Sequence, residues 1–338
     1  MINKTITLKA KVKNYSLTLV YVLINQCNAD QLNEVTMSNL SFSELEDLYE
    51  LANLVHVISI VKLNSKLDEV ARRLQRHSEA LLNLSNEAYE MSFPLTVLQK
   101  AMLAINRSEN SDSKWTMEDA QALVNEVIKY EQPLKAFEAR NRIQEQENRK
   151  SLHNYILQLV NHYARILVIR IDLFYQFKSD IQSELTLENF TNDWKRFREL
   201  LSNKATVFEN LHGFAWALEQ GADKGYHCHL LLIYDGAKHQ NDGGLGSLVG
   251  EKWTEVTGRR GAFFLCNTSD YKQEMINRGT LGIGMIHRNN EFEVKNLMQV
   301  AYYLVNPEKL YQHPVVKIGN MRTFGKGEFR VKWRRGIK

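Results

Sequence analysis

Cysteine is scarce in this chain, and so are long apolar runs and net charge. The 338 residues hold three cysteines, Cys27, Cys228 and Cys266, odd in number and widely spaced. That excludes a disulfide framework and a CxxC zinc knuckle, and it favours a reducing compartment. No apolar run approaches the roughly 18–20 residues of a membrane-spanning helix, so no membrane partner is expected. The net charge is only +4 and the hydrophobic share is 44%, which excludes disorder for the bulk of the chain. There is no internal repeat and no low-complexity tract. A chain of this length can bury a substantial core and is expected to make two domains.

One targeting pattern needs weighing. Lys4, Lys9, Lys11 and Lys13 precede an apolar run over residues 17–24 that ends near Cys27, a faint signal-peptide arrangement. The run is short, contains Thr18 and Tyr21, and Asn25, Gln26 and Cys27 make a poor small-residue cleavage site. A buried strand or helix is the expectation there.

Residues 1–155 read as helix. Apolar residues recur at Leu45, Leu48, Leu51, Val55 and Ile58, then at Leu63, Leu67, Val70 and Leu74, close to a helical stripe. Pro94 and the polar stretch 106–113 interrupt it. Thr116 is a candidate N-cap, with Glu118 and Asp119 in the first turn. Pro133 suggests another start or a kink. Residues 140–150 (RNRIQEQENRK) alternate in charge sign, as a solvated or interdomain helix face does.

The texture changes at Arg165. Residues 166–174 (ILVIRIDLF) form a continuous β-prone run, as in a central strand. A helix is predicted over 186–201, strands over 214–218 and 225–234, a Gly/Asn/Asp-rich loop over 235–246 and a helix over 248–256. Strands follow at 262–265 and 281–286, then a helix over 292–305 that stops before Pro307. The class is α+β, with an all-α part over 1–155 and a sheet flanked by helices over 156–338.

Chemistry concentrates at His227-Cys228-His229. Residues two apart on a strand point the same way, so both imidazoles share one face and Cys228 takes the other. Two such nitrogens can chelate a divalent metal, although an HxH pair alone is more often met as two hydrogen-bonded sheet-edge histidines. Glu219 ends the preceding predicted strand, and QGADK (220–224) supplies a turn. If the strands pair, Glu219 returns beside the histidines. Two imidazoles and one carboxylate leave coordination positions open, a mixed set that suits Mn²⁺ or Mg²⁺. Tyr302 and Tyr303 lie on the last predicted helix. A tyrosine hydroxyl, with its pKa of about 10, is a poor nucleophile at neutral pH unless a metal polarises the phosphodiester it attacks. Adjacent helical residues sit about 100° apart, so only one of the two readily faces a metal.

The ordered set ILVIRIDLF, then EQGADKGYHCHLLL, then AYYLVN resembles the HUH endonucleases, the rolling-circle replication initiators. Within them it is most similar to the replication proteins of filamentous phages (inoviruses) and their prophage and satellite relatives. The resemblance covers residues 157–338 and not the helical N-terminal part. It implies an HUH/RRM-like domain with a central, mainly antiparallel sheet, His227 and His229 as metal ligands and Glu219 as the third. It further implies a tyrosine that attacks a single-stranded DNA phosphate, leaving a 5′-phosphotyrosine link and a free 3′-OH. The family's motif often reads Tyr-x-x-Lys. Aligned on Tyr303, the lysine position holds Asn306, with Lys309 three residues on. Tyr303 is the first candidate and Tyr302 the second. Host helicase and polymerase would be partners, in a bacterial cytoplasm.

Asp172 in the first strand raises a primase-like reading. That needs a second acid two positions away, where Arg170 and Phe174 stand instead.

The last 28 residues carry eight Lys or Arg, including Arg322, Lys326, Arg330, Lys332, Arg334 and Arg335, against one acid, Glu328, so the rest of the chain is net −3. Phe324, Phe329 and Trp333 interleave with them and could stack on unpaired bases. Arg259 and Arg260, between Gly258 and Gly261, could add a phosphate contact. His239, His287 and His313 have no motif around them and read as ordinary surface histidines. The reading is a metal-dependent enzyme that nicks and joins single-stranded or hairpin origin DNA. Its rival is a non-catalytic DNA-binding regulator whose helical half recruits a protein partner, and a third reading makes the helical half a homo-oligomerisation or host-interaction domain.

Overall fold

In chain order the helical part contains α1 (Phe42–Val61), α2 (Leu67–Leu82), the short strand β1 (Tyr89–Met91), α3 (Phe93–Ala104), α4 (Met117–Ile128) and α5 (Glu131–His162). These belong to a computed structural model that describes residues 39–61, 66–84, 89–107, 114–176, 185–221, 224–306 and 312–329. The apolar run at 17–24, Cys27, Leu63, Lys309, the basic residues Arg330, Lys332, Arg334 and Arg335, and Trp333 lie outside the described residues. Thr116 caps α4 as expected. Its hydroxyl accepts from the Asp119 amide while Asp119 accepts from the Thr116 amide, which satisfies two otherwise orphaned donors. Pro133 falls in the first turn of α5, where a missing N–H costs nothing. At 32 residues α5 is about 48 Å long, and it runs through the position, 155/156, expected to divide the chain.

Three 11-residue strands follow, β2 (Arg165–Tyr175), β3 (Leu211–Gly221) and β4 (Gly225–Asp235), with α6 (Leu187–Asn203) between β2 and β3. Then come α7 (Asp242–Val256), β5 (Gly261–Leu265), α8 (Ser269–Asn277), β6 (Gly284–His287), α9 (Glu291–Tyr302), β7 (Val316–Ile318) and β8 (Phe324–Lys326). The main sheet is antiparallel throughout, in the order β5-β2-β4-β3-β8, with β6 pairing the other end of β2. β1 and β7 make a separate two-stranded sheet. The fold is α+β, N-terminal helices followed by an antiparallel sheet with helices on both faces.

The structure corrects several boundaries. The predicted loop over 235–246 ends early, because Asp242 to Gly246 form the first turn of α7. The glycines there serve packing. A Cβ at Gly246 would lie 2.5 Å from Leu265 Cδ1, and one at Gly250 2.5 Å from the Phe263 ring, so α7 presses its backbone onto the sheet. α8 had no counterpart in the sequence reading, and none of its residues is buried, which explains the missing apolar stripe. The last helix stops at Tyr302, and Tyr303–Val305 form a 3₁₀ turn.

Each face of the sheet has its own core. On one face Leu167, Ile169, Ile171, Leu173 and Tyr175 of β2 join Tyr226, Cys228, Leu230, Leu232 and Tyr234 of β4. That core includes α6, α7 and the apolar stripes of α1 to α4, so the helical part shares one continuous interior with the sheet. On the other face Ile166, Val168, Leu231 and Ile233 pack under α5 and α9. Gln220 helps lock the first arrangement. Its amide donates to the Leu45 carbonyl at 2.8 Å and accepts from the Val315 amide at 2.9 Å.

Candidate metal centre

β3 and β4 pair antiparallel, and the register sets Glu219 opposite His227 and Ala217 opposite His229. The strand alternation turns Glu219, His227 and His229 to the face covered by α5 and α9. Cys228 lies in the opposite core, where burial pushes its thiol well above the usual cysteine range. It is an apolar filler there and not a ligand.

Glu219 Oε2 lies 3.1 Å from His229 Nε2 and 3.8 Å from His227 Nε2. One donor atom from each of the three residues falls within 4.8 Å of the others, and all three side chains are buried. The far nitrogens are already occupied. His229 Nδ1–H donates to Asp172 Oδ1 at 2.6 Å, and His227 Nδ1–H donates to the Gly225 carbonyl at 3.0 Å. Outer partners of this kind fix the tautomer and leave both Nε2 atoms turned inward toward the carboxylate. The three residues could hold a metal ion.

The electrostatics are strongly coupled. For Asp172, burial alone raises the pKa, but the His229 hydrogen bond and the charges of His229, Arg170 and Lys224 win, and its carboxyl is held below the usual range. For His229, burial pushes down, yet the bonds to Asp172 and Glu219 raise it above the ordinary histidine value. His227 falls to about 4, through burial first and then the neighbouring His229 charge. His229 Nε2 stands 3.1 Å from Glu219 Oε2, and a divalent cation would compete with protons for these donor atoms.

Of the two tyrosines, Tyr303 stands at the trio. Its ring lies edge-on to His229 with 5.1 Å between centroids, under the Arg170 guanidinium at 4.0 Å, and the residue is 39% exposed. Tyr302 turns to α5, where its hydroxyl meets His153 Nδ1 at 2.6 Å and its ring lies under Arg149 at 3.9 Å. The 3₁₀ turn that begins at Tyr303 keeps the pair on different sides.

A family model described as the YagK/YfjJ C-terminal domain matches residues 128–269. The match takes in all of α5, β2 to β5 and the whole Glu219–His227–His229 set. It ends before Tyr303. No curated protein and no solved structure matches the chain.

The basic candidates scatter. Arg260 bonds Asp193 Oδ2 at 2.9 Å and the Thr257 carbonyl, so it ties the α7–β5 turn to α6. Arg259 is exposed, in a left-handed conformation (φ 67°) after Gly258. Lys326 sits over the Tyr155 ring at 4.9 Å, and Arg322 is exposed between β7 and β8. His313 is not an ordinary surface histidine. Its Nε2 lies 3.9 Å from the buried Glu145 carboxylate, in a recess also lined by Glu219, Leu304 and Phe324. The sequence reading set Asp172 aside with the primase idea and missed it as the partner of His229. The signal was there, an acid in an apolar strand in phase with Arg170 and Phe174.

Among the described residues, no helix is long and apolar enough to cross a membrane.

Proposed function

We propose that this chain is a metal-dependent nuclease of the HUH kind, nicking and rejoining single-stranded or hairpin DNA to start rolling-circle replication of a phage or mobile element in a bacterial cytoplasm. The observation that carries the reading is one juxtaposition: a buried two-histidine, one-glutamate set with its outer hydrogen bonds in place, and a partly exposed tyrosine against one of those histidines. The mixed nitrogen and oxygen donors favour Mn²⁺ or Mg²⁺. Such an ion, when bound, polarises a phosphoryl oxygen and offsets the charge that builds in the transition state.

Tyr303 Oη forms a bond to phosphorus as its proton leaves to solvent. The P–O3′ bond breaks, and the departing 3′-oxygen takes a proton to become a free 3′-OH. The 5′ side stays as a phosphotyrosine ester. No water is consumed at phosphorus, so the 3′-OH can reverse the step and rejoin the strand. Host helicase and polymerase would extend that 3′ end.

The test is a gel assay with labelled single strands and hairpins from the DNA adjoining the coding region. Wild type with Mn²⁺ is expected to give an SDS-resistant adduct that disappears in EDTA, in His227→Ala and in Tyr303→Phe. An adduct that survives Tyr303→Phe unchanged removes Tyr303 from the role. Tight DNA binding with no adduct on any substrate would favour the regulator reading, for which Asn306 in place of the motif lysine is the motive.

A further inference from the structure

The strip of sheet beside the metal set is the place where this face lies open. Phe264 of β5 stands in register with Asp172 and is 45% exposed, although the other face of the same strand is packed. Tyr271 meets its edge at 5.8 Å, and Lys224 Nζ lies 5.8 Å from its centroid and 5.1 Å from that of Phe174.

Arg170, on the same face, is 91% buried, and its Nε has no hydrogen-bond partner among the described residues. Arg170 and Lys224 both approach the Asp172 carboxylate only to 3.9 Å, too far for a good hydrogen bond, because Asp172 is held by His229. Two cations therefore face one already engaged carboxylate, and a buried guanidinium N–H is left to be satisfied. Neighbouring strands are about 4.8 Å apart and residues i and i+2 about 7 Å, so Arg170 and Phe264 sit within one extended nucleotide's reach of each other.

An anion joined to a flat, neutral, stackable group matches this set. We propose that Arg170, Lys224 and Phe264 form a subsite for one nucleotide of a single-stranded nucleic acid, with a phosphodiester oxygen on the two cations and a base on the Phe264 ring. The inference rests on the reading of the substrate as single-stranded DNA, and it assigns binding to residues outside the basic C-terminal segment.

The test is fluorescence anisotropy in EDTA, where cleavage does not occur, using a labelled oligothymidylate and an abasic strand of equal length. Phe264→Ala is expected to weaken oligothymidylate binding about tenfold and to leave the abasic strand unchanged. Lys224→Gln and Arg170→Gln are expected to weaken both strands and to flatten the salt dependence. Arg170 is buried and its variant can misfold, so Lys224→Gln and the exposed Phe264→Ala decide the matter. If Phe264→Ala binds oligothymidylate within twofold of wild type, or loses both strands equally, the base site is refuted. A Lys224→Gln protein indistinguishable from wild type refutes the phosphate site. Adduct formation with these variants at the wild-type rate would sink the subsite and leave nicking intact. The expected binding pattern with no adduct on any DNA would do the reverse.

Discussion

The two faces of the main sheet use the same strands for opposite purposes. Toward α6, α7 and the N-terminal helices, β2 and β4 present an unbroken series of apolar and aromatic side chains, from Leu167 to Tyr175 and from Tyr226 to Tyr234 in alternate positions. Toward α5 and α9 the alternate residues begin as apolar, with Ile166, Val168, Leu231 and Ile233, and end as Arg170, Asp172, His227 and His229. Cys228 sits between two histidines in sequence and on the far side of the sheet from both in space. The difference teaches that burial depth does not separate the roles, since both sets are buried. What separates them is polar pairing across the strands, which on the face toward α5 and α9 joins His229 to Asp172 and Glu219.

The sharpest way to break the comparison is to alter neighbours in sequence that face opposite ways. His229→Ala removes one of three donors, and Mn²⁺ affinity is expected to fall by more than the roughly 10–100-fold that loss of an outer partner costs. Cys228→Ser is expected to leave Mn²⁺ affinity and stoichiometry unchanged and to lower stability by about 1–3 kcal/mol, because a hydroxyl in that apolar core lacks a ready partner. Mn²⁺ titration followed by electron paramagnetic resonance, beside urea unfolding, reads both. Equal loss of metal in the two variants would show that the faces are not independent.

A smaller effect probes the outer hydrogen bond. Asp172→Asn keeps an acceptor for His229 Nδ1–H and loses the charge that makes the imidazole a better donor to a metal. Mn²⁺ affinity is expected to drop about 10–100-fold with little change in the unfolding midpoint. An affinity within twofold of wild type would reduce Asp172 to a structural role.

Much of this was legible before any coordinates. The β-prone run 166–174 and the HxH spacing gave the central strands and their facing, and Glu219 needed only the hairpin to reach His227. What stayed hidden depended on contacts between distant segments. The helical start at Asp242 to Gly246 reads as a loop until Leu265 is seen to occupy the space that a Cβ on Gly246 would need. Tyr302 and Tyr303 were separable only in principle, since the 3₁₀ turn and the His153 bond that part them come from α5 and the chain's last helix meeting in space. Asp172 carried a signal that the period-two phase could have exposed. Arg260 was misleading because its Asp193 partner lies 67 residues away.

The smallest expected effect lies at the border of the polar face. Glu145 sits in the charged stretch of α5 that the sequence suggested as solvated, yet it is buried. Asn148 reaches it only at 3.4 Å. Burial above all, opposed by Asn148 and aided by the Glu219 charge, pushes its carboxyl up from 4.5 to about 7. The folded state thus holds this proton more tightly than the unfolded chain does, so the site loses stability as pH rises from the unfolded value toward 7. Glu145→Gln removes the ionisation. In EDTA, its melting temperature relative to wild type is expected to rise between about pH 4.5 and 7 and to level off above, a window set by the two values. Added Mn²⁺ should narrow that difference somewhat, because a cation on Glu219 cancels the smaller, charge-borne part of the shift and leaves the burial part. A melting difference that does not change with pH would mean that Glu145 is solvated as the charge pattern suggested, and that the polar face ends at Glu219.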